Sequence, residues 1–177
     1  MTREREILRE RARRLAQPPP ASEPGGVLEI ITLTLGAERW AIDTSLVLAV
    51  VPFTAVSRLP SAPAFLVGLA AVRGVPVPVV YLGGFLGVPG PGVTDLARIV
   101  VLGEAMPELG FVVDAVDEVA TISRAQLRPP EESMAAHDLL HGIAPDGMAV
   151  LAAQALAADP RFTFEDAIDG DDLARGA

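Results

Sequence analysis

A mainly β fold is what this sequence predicts, and three observations carry the prediction. Half of the 177 residues are hydrophobic, yet the aromatics are only one Trp, one Tyr and six Phe, so a core must be built from Val, Leu, Ile and Ala. Sixteen glycines and sixteen prolines punctuate that apolar content, which favours short strands and many turns over long helices. The third observation is the segment from Phe65 to Leu82, two apolar runs separated by Arg73-Gly74. Pro76 and Pro78 fix φ and lack an amide donor, so no helix runs through them, and Val75 and Val77 are pushed towards extended backbone. The segment reads as a strand, a tight turn, and an edge strand whose prolines turn their missing donors away from the ladder. A chain of this length holds one domain with a full core, or two small fused lobes.

The elements follow in order. Residues 1–17 read as a basic amphipathic helix, with Leu8, Ala12 and Leu15 recurring at i, i+4 and i+7 among arginines and glutamates. Pro18-Pro19-Pro20 ends it, and residues 18–26 read as a Pro/Gly linker. From Val27 the period changes to that of a strand. Val27–Leu35, a turn at Gly36-Ala37 and Arg39–Ile42 make a hairpin. Leu46–Val51 is apolar and reads as a strand or a single helical turn before Pro52, and Pro60 and Pro63 mark a loop. After the two strands around Arg73-Gly74, residues 83–92 hold too much Gly and Pro for regular structure beyond one turn.

The second half repeats the theme, without a long internal sequence repeat. Ala97–Leu102, Leu109–Val113 and Asp114–Ile122 read as extended segments, and Arg128-Pro129-Pro130 breaks the chain. Leu139–Ile143 and Met148–Leu151 form a hairpin around Pro145-Asp146-Gly147. Gln154–Ala158 makes a short helix stopped by Asp159-Pro160, and residues 163–177 read as an acidic, disordered tail.

Charge and composition exclude several classes of function. The net charge is −9, and residues 1–17 hold six arginines against three glutamates, so the remainder is strongly acidic. An acidic domain is a poor nucleic-acid surface. Cysteine is absent, which removes disulfides, thiol nucleophiles and thiolate-bound metals. Thr2–Arg14 is too densely charged for a secretory signal, and Phe65–Leu86 is too interrupted for a membrane span, so a cytoplasmic protein without membrane insertion is expected.

Candidate chemistry is sparse. Arg73 stands out because a guanidinium offers five donors in a rigid fork, suited to a carboxylate or to backbone carbonyls; capping of its own turn is the plainer role. Gly68 and Gly74 read as positions of positive φ or close strand approach. His137 and His141 lie at i, i+4 and would share a helical face, but a zinc site needs a further ligand, and no metal or other cofactor is expected. Asp114, Asp117 and Glu118 read as a solvated strand edge that discourages aggregation. No Gly-x-Ser-x-Gly elbow and no phosphate loop ending in Lys-Ser/Thr is present, so an enzyme is not expected.

Four motifs in order resemble the CheW family of chemotaxis adaptors. They are Leu35-Gly36 with Trp40-Ala41-Ile42-Asp43 and Val47; Gly68, Arg73-Gly74-Val75, Pro78-Val79 and Leu82; Gly110–Val119; and His141-Gly142-Ile143 with Asp146-Gly147 and Leu151. The resemblance covers residues 27–162. It implies two SH3-like five-stranded β-barrel lobes flanked by an N-terminal helix and a short C-terminal helix, with Gly110–Val119 in the second lobe. It also implies an adaptor coupling chemoreceptor tips to the regulatory domain of a CheA-type histidine kinase. Val72, Arg73 and Gly74 are then the expected receptor-binding residues, and Gly68, Gly142 and Gly147 structural turns. The chain departs from the family pattern at Ala49, Ala71 and Tyr81, where Glu, Asn and Asp are frequent. The reading from a different class is a small-ligand-binding module with its site in the cleft between two barrels.

Overall fold

The computed structural model describes residues 26–162, apart from Ser61 and Ala135. The helix expected in residues 1–17, most of the linker and the tail of residues 163–177 lie outside the described residues.

Ten strands form two five-stranded sheets. The first sheet runs in the order β8-β1-β2-β10-β9, built from β1 (Val27–Leu35), β2 (Glu38–Asp43), β8 (Ala115–Ser123), β9 (Leu140–Ile143) and β10 (Ala149–Leu151). The second runs β3-β6-β7-β5-β4, from β3 (Val47–Pro52), β4 (Leu66–Val72), β5 (Val75–Tyr81), β6 (Arg98–Leu102) and β7 (Leu109–Val113). Helix α1 (Leu82–Leu86) follows β5, and α2 (Ala153–Ala157) follows β10. Both are five residues long; α1 ends at Gly87, in the left-handed conformation, and α2 ends before Asp159-Pro160.

The lobes are not the two halves of the chain. The first sheet takes both ends of the described chain and the second takes the middle, so Leu109–Val113 joins the lobe of β4 and β5, while Ala115–Ser123 joins that of β1. Asp114 alone separates them. A second correction concerns β5, which is an interior strand and not an edge. It pairs antiparallel with β4 along its length and parallel with β7 over Val79–Tyr81. Pro76 and Pro78 are tolerated because they fall in the half of β5 that meets β4 alone.

The two sheets repeat one design without a repeated sequence. Each has one parallel pair, β5 with β7 and β10 with β2. Each is closed into a barrel by an isolated bridge, Ser57 to Leu69 in one and Arg128 to Ile143 in the other. Beside each bridge lies a glycine with little room for a side chain: a Cβ on Gly68 would sit 2.3 Å from the Ser57 carbonyl oxygen, and one on Gly142 2.6 Å from that of Arg128. Gly68 and Gly142 therefore lie inside strands, at the barrel closures, whereas Gly147 lies in the β9–β10 turn.

Near-continuous apolar strands serve two cores at once. Ile99 and Val101 of β6 point into the second barrel with Val77, Val79 and Val112, while Val100 and Leu102 point out of it. Leu28 and Ile30 of β1 likewise fill the first barrel with Ala41 and Val150. The outward sets meet, with Leu33, Leu35, Leu82, Phe111, Leu151 and Leu156 among the members of one large core shared by the lobes. Strands buried on both faces read as unbroken Val/Leu/Ile runs. Thr32, almost fully buried, sits opposite a bulge in β8, where its hydroxyl bonds both the amide and the carbonyl of Glu118.

Candidate partner-binding surface

The β4–β5 hairpin builds the surface around Arg73. Val72 pairs with Val75, which leaves a two-residue turn, and Arg73 and Gly74 both take positive φ, 51° and 81°, as in a type I′ turn. That conformation matches the twist of the flanking strands but disfavours any residue with a Cβ other than Asn or Asp. Arg73 is exposed, and among the described residues no carboxylate pairs with it. Gly74 is exposed beside it. Val72 differs from the expectation. It is only 4% exposed and packs inside the second barrel, so its side chain anchors the hairpin and is not offered to a partner.

A polar centre that sequence reasoning missed lies in the first lobe. Asp43, buried at the end of β2, accepts three hydrogen bonds. Its Oδ1 takes the Ser45 amide at 3.0 Å, and its Oδ2 takes the Ala153 amide at 2.7 Å and His141 Nε2 at 2.9 Å. A carboxylate only accepts, so Nε2 carries the proton. These bonds tie β2, the following turn, β9 and the start of α2 together. Burial by itself would raise the Asp43 pKa; the hydroxyl of Ser45, the amides of Ala153 and Ser45, and His141 outweigh it and hold the carboxyl below its usual value.

The arrangement is structural. His141 and Ser45 both turn to the same carboxylate, so the Ser–His link that a hydrolase requires is not made. His137 sits in a 3-10 turn and His141 in β9, so the two histidines do not share a helical face as their spacing suggested. Among the described residues, no three His, Asp or Glu side chains gather as a metal site needs. Asp117 of β8 instead accepts the Thr34 hydroxyl of β1 at 3.1 Å, and Asp114, just before β8, accepts the Gly36 amide of the β1–β2 turn.

A pH dependence follows. The folded pKa of Asp43 is depressed, as is that of Asp159, held down mainly by hydrogen bonds from Arg161. Their stabilisation is fully present above the unfolded value near 3.8 and is lost as pH falls through the folded values. Urea midpoints measured from neutral pH downwards are expected to drop below about pH 4. Asp43→Asn should cost about 1–3 kcal/mol at neutral pH and flatten that acid decline. An unchanged decline would remove Asp43 as its source.

Comparison with known proteins places the chain. The family model described as a CheW-like domain matches residues 29–160. The chemotaxis protein CheW of Klebsiella aerogenes is 31% identical over 104 residues, which span 59% of this chain and 63% of that protein, less than two thirds of its length. The chemotaxis protein CheW of Bacillus subtilis is 24% identical over 106 residues, 60% of this chain and 68% of that protein. The crystal structure of the scaffolding protein TtCheW from Thermoanaerobacter tengcongensis matches with a TM-score of 0.63 at 25% identity, covering 77% of this chain and 89% of that one. With the two-barrel fold and a match over most of its length, the chain belongs to the CheW-like domain family.

Proposed function

We propose that this protein is a non-enzymatic adaptor of the cytoplasm that couples chemoreceptor tips to the regulatory domain of a CheA-type histidine kinase. Residues 27–162 are the coupling unit, and residues 1–17 and 163–177 are appendages. The observation that carries the reading is Arg73, an exposed guanidinium on a hairpin tip that pairs with no carboxylate among the described residues, held in a left-handed conformation that a Cβ makes costly. An asparagine would satisfy the turn at lower cost, so the arginine is explained by what it binds. Its fork suits the carboxylates and carbonyls of a helical receptor tip, with Gly74 leaving room for close approach. Signal passes as a change in the relative placement of partners, without chemistry in this chain. The alternative is a small-ligand module with its site in the cleft between the barrels. The cavity beside Asp43, lined by Leu28, Ser45, Arg124, His141 and Gln154, lies in the first lobe and not in that cleft, and holds about 140 Å³, whereas small-molecule sites usually span about 300 Å³ or more.

Co-purification with the kinase regulatory domain, with and without a receptor-tip fragment, tests the proposal. A one-to-one complex strengthened by the receptor is expected. Arg73→Glu should weaken receptor coupling at least about tenfold with unchanged thermal stability. Arg73→Asn should lose coupling too, yet raise stability by about 0.5–1 kcal/mol by relieving the turn. Full coupling by Arg73→Glu would move the site elsewhere, and parallel loss of stability and binding would make the arginine structural.

A further inference from the structure

The seam between the lobes contains two buried oxygens whose pairing the fold leaves open. Tyr81 ends β5, and its ring lies in a socket of glycines. A Cβ on Gly84 would come within 2.8 Å of the ring, one on Gly83 within 3.0 Å of the hydroxyl oxygen, and one on Gly90 within 3.0 Å of the same oxygen. Asp114 is the single residue between β7 of the second lobe and β8 of the first. Its Oδ2 accepts the Gly36 amide at 2.5 Å, and its own amide donates to the Thr34 carbonyl at 3.1 Å.

Gly36, in the β1–β2 turn at φ 59°, is pressed against the other side of the seam. A Cβ there would lie 2.0 Å from the Pro89 carbonyl oxygen. The end of β5, α1, the loop of residues 89–92, the β1–β2 turn and the β7–β8 crossover thus converge. At their meeting point the Tyr81 hydroxyl and Asp114 Oδ1 are both buried, and neither has a hydrogen-bond partner among the described residues. The Gly92 amide approaches the hydroxyl without reaching hydrogen-bond geometry. A donor and an anionic acceptor, each costly to bury alone, are complementary to one another.

We propose that Tyr81 and Asp114 form a latch across the lobe seam, the phenol donating to Asp114 Oδ1 directly or through one water, and that this latch sets the angle between the lobes. One carboxylate then holds Gly36 of the first lobe with one oxygen and Tyr81 of the second with the other. A side chain on Gly84 would push the ring from its place, and one on Gly83 or Gly90 would crowd the hydroxyl. The latch rests on these contacts and does not depend on the adaptor reading.

The chain contains a single tyrosine, so ultraviolet titration of the full chain reports Tyr81 alone. Burial and the charge of Asp114 both push its ionisation above the ordinary value of 10.0. Asp114→Asn keeps an acceptor for Gly36 and should lower the midpoint; equal midpoints in the two proteins overturn the pairing. Tyr81→Phe keeps the ring and removes only the hydroxyl. In native-state hydrogen exchange at neutral pH, the amides of Gly36 and Asp114 should then exchange about tenfold faster, while Val100 and Val112 inside the strands keep their rates. Unchanged exchange at Gly36, or equal acceleration throughout the chain, overturns the latch.

Discussion

Val79→Asp should leave the chain unfolded under conditions where the parent is native. Val79 lies at the centre of β5, fully buried, between Gly68 of β4 and Gly110 of β7. Its side chain occupies space that Gly110 leaves open, since a Cβ on Gly110 would already meet Val79 Cγ2 at 3.4 Å and Ile99 Cγ2 at 2.8 Å. The valine is surrounded by Val77, Ile99, Val101 and Val112, none of which can bond a carboxylate. An aspartate there loses the packing of the valine and buries an unpaired charge, together costing more than about 4 kcal/mol. That is a large part of the roughly 5–15 kcal/mol by which a domain is stable. Circular dichroism and urea titration measure it, with Val119→Asp as the control, because Val119 is exposed on β8. A cooperative Val79→Asp transition near the parent midpoint would mean that the second barrel is wet or loosely packed.

Phe162→Ala should cost about 3–5 kcal/mol, although the residue lies at the very end of the described chain. Its ring centroid is 4.6 Å from Phe85 of α1, 5.3 Å from Phe111 of β7 and 6.1 Å from Phe65, at tilted or edge-on angles that aromatic quadrupoles favour. The segment carrying it follows α2, which follows the first sheet, whereas its three partners belong to the second lobe. Phe162 therefore fastens the chain end of one lobe into the other. Asp159 and Arg161 hold the segment in position: the guanidinium forks onto the carboxylate and lies 4.7 Å over the Phe85 ring. Phe162→Leu should recover part of the loss. A change below about 1 kcal/mol for Phe162→Ala would mean that the lobes hold together through their sheets alone.

What could be read before folding was what neighbouring residues control. The β1–β2 hairpin, the turn at Arg73-Gly74 and the β9–β10 turn at Asp146-Gly147 stand where turn chemistry placed them, with β1 beginning and ending at the expected residues. Leu46–Val51, left between strand and helical turn, is resolved as strand β3 by pairing with β6. Prolines misled the reading of β5, because a missing donor marks an edge only where a neighbour is present. β7 reaches β5 only beyond Pro78. The direction of Val72 was also out of reach. Two apolar strands joined by a tight turn do not reveal which alternate residues face a barrel until the barrel closes.

The mainly β class, most strand boundaries to within a residue or two, the turn that presents Arg73 and, through four spaced motifs, the family were all legible in the sequence. Local φ preferences and hydrophobic period suffice for that. It took the folded chain to show that the first lobe is made from the two ends of the described residues, that β5 is interior, and that Asp43 gathers His141 and Ala153 from about a hundred residues away. The folded chain also shows that the Tyr81 ring lies among Gly83, Gly84 and Gly90 with its hydroxyl buried. The Asp43 pairings join residues with no sequence proximity, and they exist because closing two barrels against one shared core buries polar groups that must find partners there.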